Sequence, residues 1–399
     1  MSNVIPDSRL RNRGILDCEP TFDKRAACRH EFPISDGRGR VRWAGVGLLV
    51  LLAALGTAAA GTVAPQAKLE LSDRARQAAL DGLRYLARTQ NKDGSWSGRG
   101  GYSRNVGVSA LACMAFMAGG SQPGRGEFGE NIERGLDFVL ANVRRDGYIT
   151  AGNDSRMYEH GFATLFLAEC YGMTQRQDVG EKLRSAVALI QRSQKHADGG
   201  WRYDPHPLDV SDISVTVCEV LALRAARNCG IKVPKECIDR AIRYVKGSCL
   251  ADGSFCYVLG SRTRGSYALL SAGLSSLYGA GEFDCPELKR ALVRFEEETP
   301  RNVSRRGPIS HYFAYAHYYA AQAAWHAGGR YWTAYYPAIC KEMAESQESN
   351  GSWQDTFGEA YGTAMCCLVL ELPYQYLPIF QRLGADEVRG KGEDKHAPE

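Results

Sequence analysis

The sequence predicts an all-α fold made of six copies of a two-helix unit, and three observations carry that prediction. A turn built on Asp or Asn followed by Gly recurs at a common spacing. Stripes of apolar residues at helical period flank each turn. No stretch alternates apolar and polar residues in the manner of a half-buried strand.

The elements follow in chain order. Residues 1–42 are polar and mixed in charge, with Arg9, Arg11, Arg13, Lys24, Arg25 and Arg29 among several acids. They show no helical or strand period and read as a disordered extension. Arg38, Arg40 and Arg42 then precede an apolar run over residues 43–60, which exits through Ala58-Ala59-Ala60 and Gly61. A basic flank, an apolar stretch and a small-residue exit together read as an export signal. The run is also just long enough to span a bilayer as an uncleaved anchor with its basic side in the cytoplasm. A start of translation near Val41 would remove the long extension ahead of it. Either way the body is expected outside the cytoplasm, with N-terminal membrane association. Residues 61–72 form a linker, 73–383 the repeat domain and 384–399 a disordered tail.

Within the repeat domain, Asp93-Gly94-Ser95-Trp96 recurs as Asp146-Gly147-Tyr148, Asp198-Gly199-Gly200-Trp201, Asp252-Gly253-Ser254-Phe255 and Asn350-Gly351-Ser352-Trp353. The glycines are 53, 52, 54 and 98 residues apart. The last interval is two periods and places a worn fifth copy near Arg301-Asn302. An amphipathic helix precedes each turn, as with Ala75, Ala79, Leu83 and Leu86 on one stripe. A more apolar, small-residue helix follows, and glycine pairs such as Gly119-Gly120 and Gly328-Gly329 end it. A domain of this length exceeds one compact core, whereas two layers, polar-faced helices outside and apolar ones inside, accommodate it. Neither end carries a polar capping unit, which favours a closed ring over an open solenoid.

Composition narrows the function classes. The chain is 44% hydrophobic and 24% charged, with a net charge of +4. No Lys/Arg face is interleaved with aromatics, so nucleic acid is not an expected partner. Eleven of the thirteen cysteines follow Ala60. Cys113, Cys170, Cys218, Cys366 and Cys367 lie in apolar helical stretches, where cysteine packs as a small hydrophobe. Cys249 and Cys256 flank one turn and are placed to pair in an oxidising compartment. There is no C-x-x-C, no Ser nucleophile elbow and no Gly-rich phosphate loop, so no metal or cofactor is expected.

The first turn reads Tyr85-Leu86-x3-Gln90-x3-Gly94-x-Trp96. This resembles the QW motif of the prenyltransferase/squalene-cyclase repeat proteins. Gln347-x3-Gly351-x-Trp353 keeps it, and Gln194 with Trp201 keeps it with one extra residue. The second and fourth turns are degenerate, and the fifth has lost it. The resemblance covers residues 73–383 and implies an α/α toroid of six helical hairpins in two concentric layers around a central cavity. Its nearest look is to exported single-ring bacterial members. The Gln amide and aromatic ring suit helix-end satisfaction and packing, so these turns are read as architecture.

The family's chemistry is then matched position by position. Its class II cyclases hold a proton-donating Asp in a DxDD motif. Here the segment is Asp209-Val210-Ser211-Asp212, with Ser211 in the donor's place, so cyclase activity is in doubt. Asp209 and Asp212 remain the candidate catalytic pair, and both also suit capping of the following helix. The resemblance implies that cyclases of this class also use a second domain, and none is expected here. No Asp-x-Cys zinc pair and no DDxxD motif occurs. The fifth inner helix places His311, Tyr315, Tyr318, Gln322 and Trp325 on one stripe. Facing a cavity, they would form an aromatic wall suited to an isoprenoid or a cationic intermediate, or they are simply bulk for a packed helix. Glu159 and His160 open the second inner helix, and Glu359 and Tyr361 open the sixth. In a ring these N-termini would gather at one rim. The reading is therefore a toroid that takes an isoprenoid, lipid or other hydrophobic ligand in an aromatic centre. A non-catalytic scaffold and a carbohydrate-active α/α barrel are the alternatives, since fold alone does not choose among them.

Overall fold

The computed structural model describes residues 71–99, 103–152, 156–205, 210–304 and 312–381. The N-terminal extension, the apolar run at 43–60 and the tail beyond 381 lie outside the described residues, as do Asp209 and His311. Twelve α-helices appear among the described residues: α1 (Asp73–Thr89), α2 (Val106–Ala118), α3 (Gly129–Ala141), α4 (Arg156–Tyr171), α5 (Gln177–Ser193), α6 (Ile213–Asn228), α7 (Lys235–Gly247), α8 (Tyr267–Gly279), α9 (Pro286–Asn302), α10 (Phe313–Ala327), α11 (Gly329–Ser346) and α12 (Glu359–Glu371). Extended pairing among these residues is confined to isolated bridges at the turns. No helix among the described residues is long and apolar enough to cross a membrane.

Odd-numbered helices form the outer layer and even-numbered ones the inner. Side-chain polarity explains the sorting. Helix α1 buries one stripe, including Ala75, Ala79, Leu83 and Leu86, and leaves its acids and arginines in water. Every residue of α2 is buried, because the helix is apolar all round and has no face to offer solvent. Caps fix where inner helices start. Asn105, Asp212 and Ser266 each accept a backbone N–H three residues ahead, from Val108, Val215 and Leu269.

The inner helices pack in the order α2, α4, α6, α8, α10, α12, and α12 packs back on α2, so the ring is closed. Each later outer helix lies on the inner helix before it, as α3 does on α2 and α5 on α4. Helix α1 has no inner helix before it among the described residues and packs on α12 and α11 instead. The N-terminal helix thus completes the last unit and seals the seam. The fold is an α/α toroid, as the repeat implied.

The repeated turn glycines report the same closure. Gly94 sits at φ +85°, and a Cβ there would lie 2.0 Å from the carbonyl oxygen of Arg134 in the next outer helix. Gly351 sits at the same φ, and its hypothetical Cβ would lie 2.7 Å from the carbonyl oxygen of Asp81. For the last turn, the next outer helix is α1.

Candidate functional site

The QW turns hold layers together. Gln90 Nε2 donates to Gly94 O at 3.0 Å and to Asn131 O, in the first turn of α3, at 2.9 Å. Gln194 bridges Gly199 O and Cys237 O, and Gln347 bridges Gly351 O and Ala78 O. The indoles of Trp96, Trp201 and Trp353 donate to Leu86, Ile190 and Met343 carbonyls in the preceding outer helix. Their backbone N–H groups donate to Ser109, Thr216 and Thr363 hydroxyls on the inner helix. In the second unit His160 takes that hydroxyl's place: Ile149 N–H donates to its Nδ1 at 3.1 Å, and its Nε2 faces Ala186 O. Burial pushes His160 down to about 3, so the ring is neutral. This corrects the expectation of a ligand-binding His160: the imidazole is turned toward the outer layer and serves the turn.

The N-termini of the inner helices do gather at one rim. Tyr158 and Ser214 hydroxyls are 2.9 Å apart across α4 and α6, and Tyr203 and Tyr257 hydroxyls meet across the next two turns. Arg202 lies over both of those tyrosine rings. Glu159 is buried and accepts a hydrogen bond from Thr150. Asp212 is also at this rim, but its carboxylate is committed. Oδ1 accepts from Val215 N–H at 2.9 Å and from Ser214 Oγ at 2.5 Å, while Arg202 Nη1 stands 3.3 Å from Oδ2. The geometry gives Asp212 the capping role rather than a free acid's.

The fifth inner helix is only partly a wall to the centre. His317 Nε2 donates to Asn302 O at 2.8 Å, and its Nδ1 lies 2.9 Å from Tyr335 Oη, which fixes the outward face of α10. Tyr315 and Tyr319, two residues either side, therefore point inward, stacked edge-on at 4.9 Å. Tyr318 packs edge-on against Tyr319, and Gln322 donates to Tyr318 O. Trp325 departs from the expected stripe: its indole donates to Phe380 O at 2.9 Å and packs on Trp332 of α11. It ties down the C-terminal segment instead of lining the centre.

Ser109, His160, Thr216 and Thr363 face the turns and outer layer, so by helical phase Leu111, Met114, Phe162, Leu165, Leu221 and Met365 face inward. None is more than 4% exposed. The same phase turns Glu169 and Gln322 inward, so the middle of the ring is mostly apolar and tyrosine-lined with these two polar side chains among the rest, and it is shielded from water.

One polar cleft opens at the seam. About 450 Å³ in volume, it is lined by residues of the first and last turns, among them Tyr85, Asn91, Arg99, Gln354, Asp355 and Glu359. Tyr85 Oη donates to Glu359 Oε2 at 2.6 Å, and Gln354 Nε2 donates to Oε1 at 2.5 Å. Burial, reinforced by the Glu359 carboxylate, pushes the Tyr85 phenol well above its ordinary value and keeps it a donor. Tyr361 sits two residues on, its ring edge-on to Phe357 at 5.3 Å. Glu359 was legible in the sequence, but Tyr85 and Gln354 were not. They join it only because the ring closes, and the one signal available was the QW register shared by the first and last turns.

Cys249 and Cys256, which the sequence allowed to pair, are free thiols, and Cys249 faces the Leu250 and Glu287 carbonyls. Among the described residues no group of three His, Cys, Asp or Glu side chains is placed to hold a metal ion.

No protein-family profile matches the chain, and no curated protein matches it in sequence. Solved structures do match in fold. The GH76A alpha-1,6-mannanase from Salegentibacter sp. HEL1_6 superposes with a TM-score of 0.59 at 9% identity, over 76% of this chain and 100% of that one. The type II terpene cyclase MstE from Scytonema superposes at 0.54 with 13% identity, over 76% and 99%. A protein from Actinoplanes gives 0.52 at 12% identity, over 76% and 99%. At such identities the likeness is one of fold.

Proposed function

We propose that this toroid binds a hydrophobic, isoprenoid-like ligand in its centre and that it lies within the terpene cyclase/prenyltransferase-like group of α/α toroids. The inward face carries the reading. Leu111, Met114, Phe162, Leu221, Tyr315 and Met365 offer a ligand only apolar surface and tyrosine rings, and they are nearly dry. Met114 and Met365, on adjacent helices α2 and α12, supply the conformational give needed to admit a chain. Ser211 stands where a type II cyclase has its acid and Asp212 is spent as a cap, so the reading is binding without proton-initiated cyclisation. The apolar run at residues 43–60 would deliver the ring to the extracytoplasmic side of a membrane, where such ligands partition.

Native mass spectrometry of the ring after incubation with C15–C30 polyprenols tests this. A retained polyprenol, lost on Met114→Trp, is the expected result. No retained lipid and no rise in Tm on lipid titration would mean that the middle is a filled core and the ring a scaffold.

A second reading has its own observation. The seam cleft sets Glu359 and Asp355 among Tyr85, Gln354 and Asn91, a lining of carboxylates and hydrogen-bonding groups suited to sugar hydroxyls. It supports a carbohydrate-active barrel. Saturable binding of α-1,6-linked mannooligosaccharides, weakened by Glu359→Gln, would favour it over the first reading.

A further inference from the structure

The opposite end of the ring, where the inner helices finish, holds a second groove that neither reading uses. Its volume is about 590 Å³, and it lies between the C-termini of α2 and α12 and the start of α1. Glu371, the last residue of α12, is on its wall, only 4% exposed, and its Oε2 has no hydrogen-bond partner. The acid is fitted there with little tolerance. A Cβ on Gly119, the C-cap of α2, would lie 2.8 Å from Glu371 Oε1 and 2.7 Å from Leu83. Tyr374 and Tyr376 stand at the mouth, 40% and 56% exposed, with rings stacked at 5.9 Å. Leu80, Leu83 and Phe128 make the apolar floor.

A lone carboxyl in such a place costs stability unless something answers it. Two features select the sign of what would. The C-termini of α2 and α12 converge there, and the negative ends of their helix dipoles favour cations. The other charges at the groove are Asp73, Glu127 and Arg76, and Arg76 is already engaged by Leu71 O at 2.9 Å and by Asp73 at 3.6 Å. The tyrosine faces suit a cation in passage, and the floor suits an alkyl body.

We propose that this groove binds an organic ammonium ion carried on an apolar body, with the ammonium on Glu371 and the alkyl chain between Leu83 and Phe128. Burial holds the Glu371 carboxyl neutral well above the usual carboxylate range. An arriving ammonium would draw it into an ion pair, the carboxyl proton leaving to solvent. The site is independent of the central ligand, since it lies at the other end of the helices.

Isothermal titration of the whole chain with octylammonium, against 1-octanol of the same length, tests it. Octylammonium is expected to bind saturably at one site and at least about tenfold more tightly than 1-octanol, a difference of about 1.4 kcal/mol. Glu371→Gln should abolish that preference while leaving 1-octanol binding as it was. Tyr376→Ala, which leaves the acid in place, should weaken octylammonium about threefold by loss of the ring face. Equal affinity for the two probes, no saturable octylammonium binding, or an unchanged preference in folded Glu371→Gln overturns the proposal.

Discussion

Gly94 and Gly152 share a positive φ, +85° and +86°, but not a neighbourhood. At Gly94 a side chain would meet the Arg134 carbonyl, and at Gly152 it would meet nothing within 4 Å. Gly94→Ala should therefore cost roughly 3 kcal/mol or more, strain plus backbone displacement, and Gly152→Ala about 1 kcal/mol from the backbone alone. Urea unfolding of both variants checks the difference, and similar losses would mean the turn is not pressed against α3. His160 gives a pH test. Its folded value of about 3 lies below the ordinary 6.5. Stability it contributes is thus present above pH 6.5 and lost as pH falls from 6.5 toward 3, at up to about 1.4 kcal/mol per pH unit. His160→Gln can still accept the Ile149 N–H without titrating, so its stability relative to wild type should rise as pH drops through that window. Glu219 behaves oppositely. Buried beside Gly161 without a partner, it is raised well above its ordinary value by burial alone. The acid favours the fold only at low pH, and that contribution fades as pH rises past 4.5. Glu219→Gln should be progressively more stable than wild type above that pH. Neither effect was legible in the sequence, where His160 resembled a ligand and Glu219 sat unremarked inside an apolar helix. Direction of the side chain, inward or outward on an inner helix, decides both, and one sequence does not carry that phase when all faces are apolar.

At the scale of elements, outer helices and turns were plain in the sequence because each must show one face to water and reverse the chain through Gly. Inner helices were legible as helices but not in rotation, which is why Trp325 was expected on the wall and is found bound to Phe380 O. The most informative element is α1. It is bound to the last unit by Gln347 Nε2 on Ala78 O at 2.8 Å, by Cys367 Sγ on Ala79 O at 3.6 Å, and by Tyr85 on Glu359. Gly82 lets it approach: a Cβ there would lie 2.6 Å from Cys367 Sγ and 2.8 Å from the Trp353 ring. Gly82→Val should thus lift α1 from the seam and leave the other units packed. Native-state hydrogen exchange is expected to rise first in α1 and α12, with α5 and α6 still protected. Exchange rising evenly round the ring would show instead that α1 is no seam but one equal part of a single cooperative unit.

A ring closed by its own N-terminal helix differs from a solenoid in what its ends mean. Helix α1 begins, and the segment through Tyr376 and Phe380 ends, on the same side, since Asp73 and Tyr376 line one groove. The covalent break between the termini is therefore incidental to the packing. The loop after α2 is equally suited to carry it: Gly124 is exposed, and a Cβ there would meet nothing within 4 Å. A permutant with residues 71 and 381 joined by a short Gly/Ser linker and opened at Gly124 keeps every inner-to-outer contact, because α3 already packs on α2 across that loop. It should fold to the same helical content and lose no more than about 2 kcal/mol. Deleting α1 outright removes the outer-layer partner of α12 and exposes Trp353, Thr363 and Cys367. That variant should lose cooperative unfolding altogether. A solenoid would give the reverse pattern, tolerating loss of an end helix and failing when its ends are joined, so the pair of variants separates the two architectures by circular dichroism and urea unfolding alone.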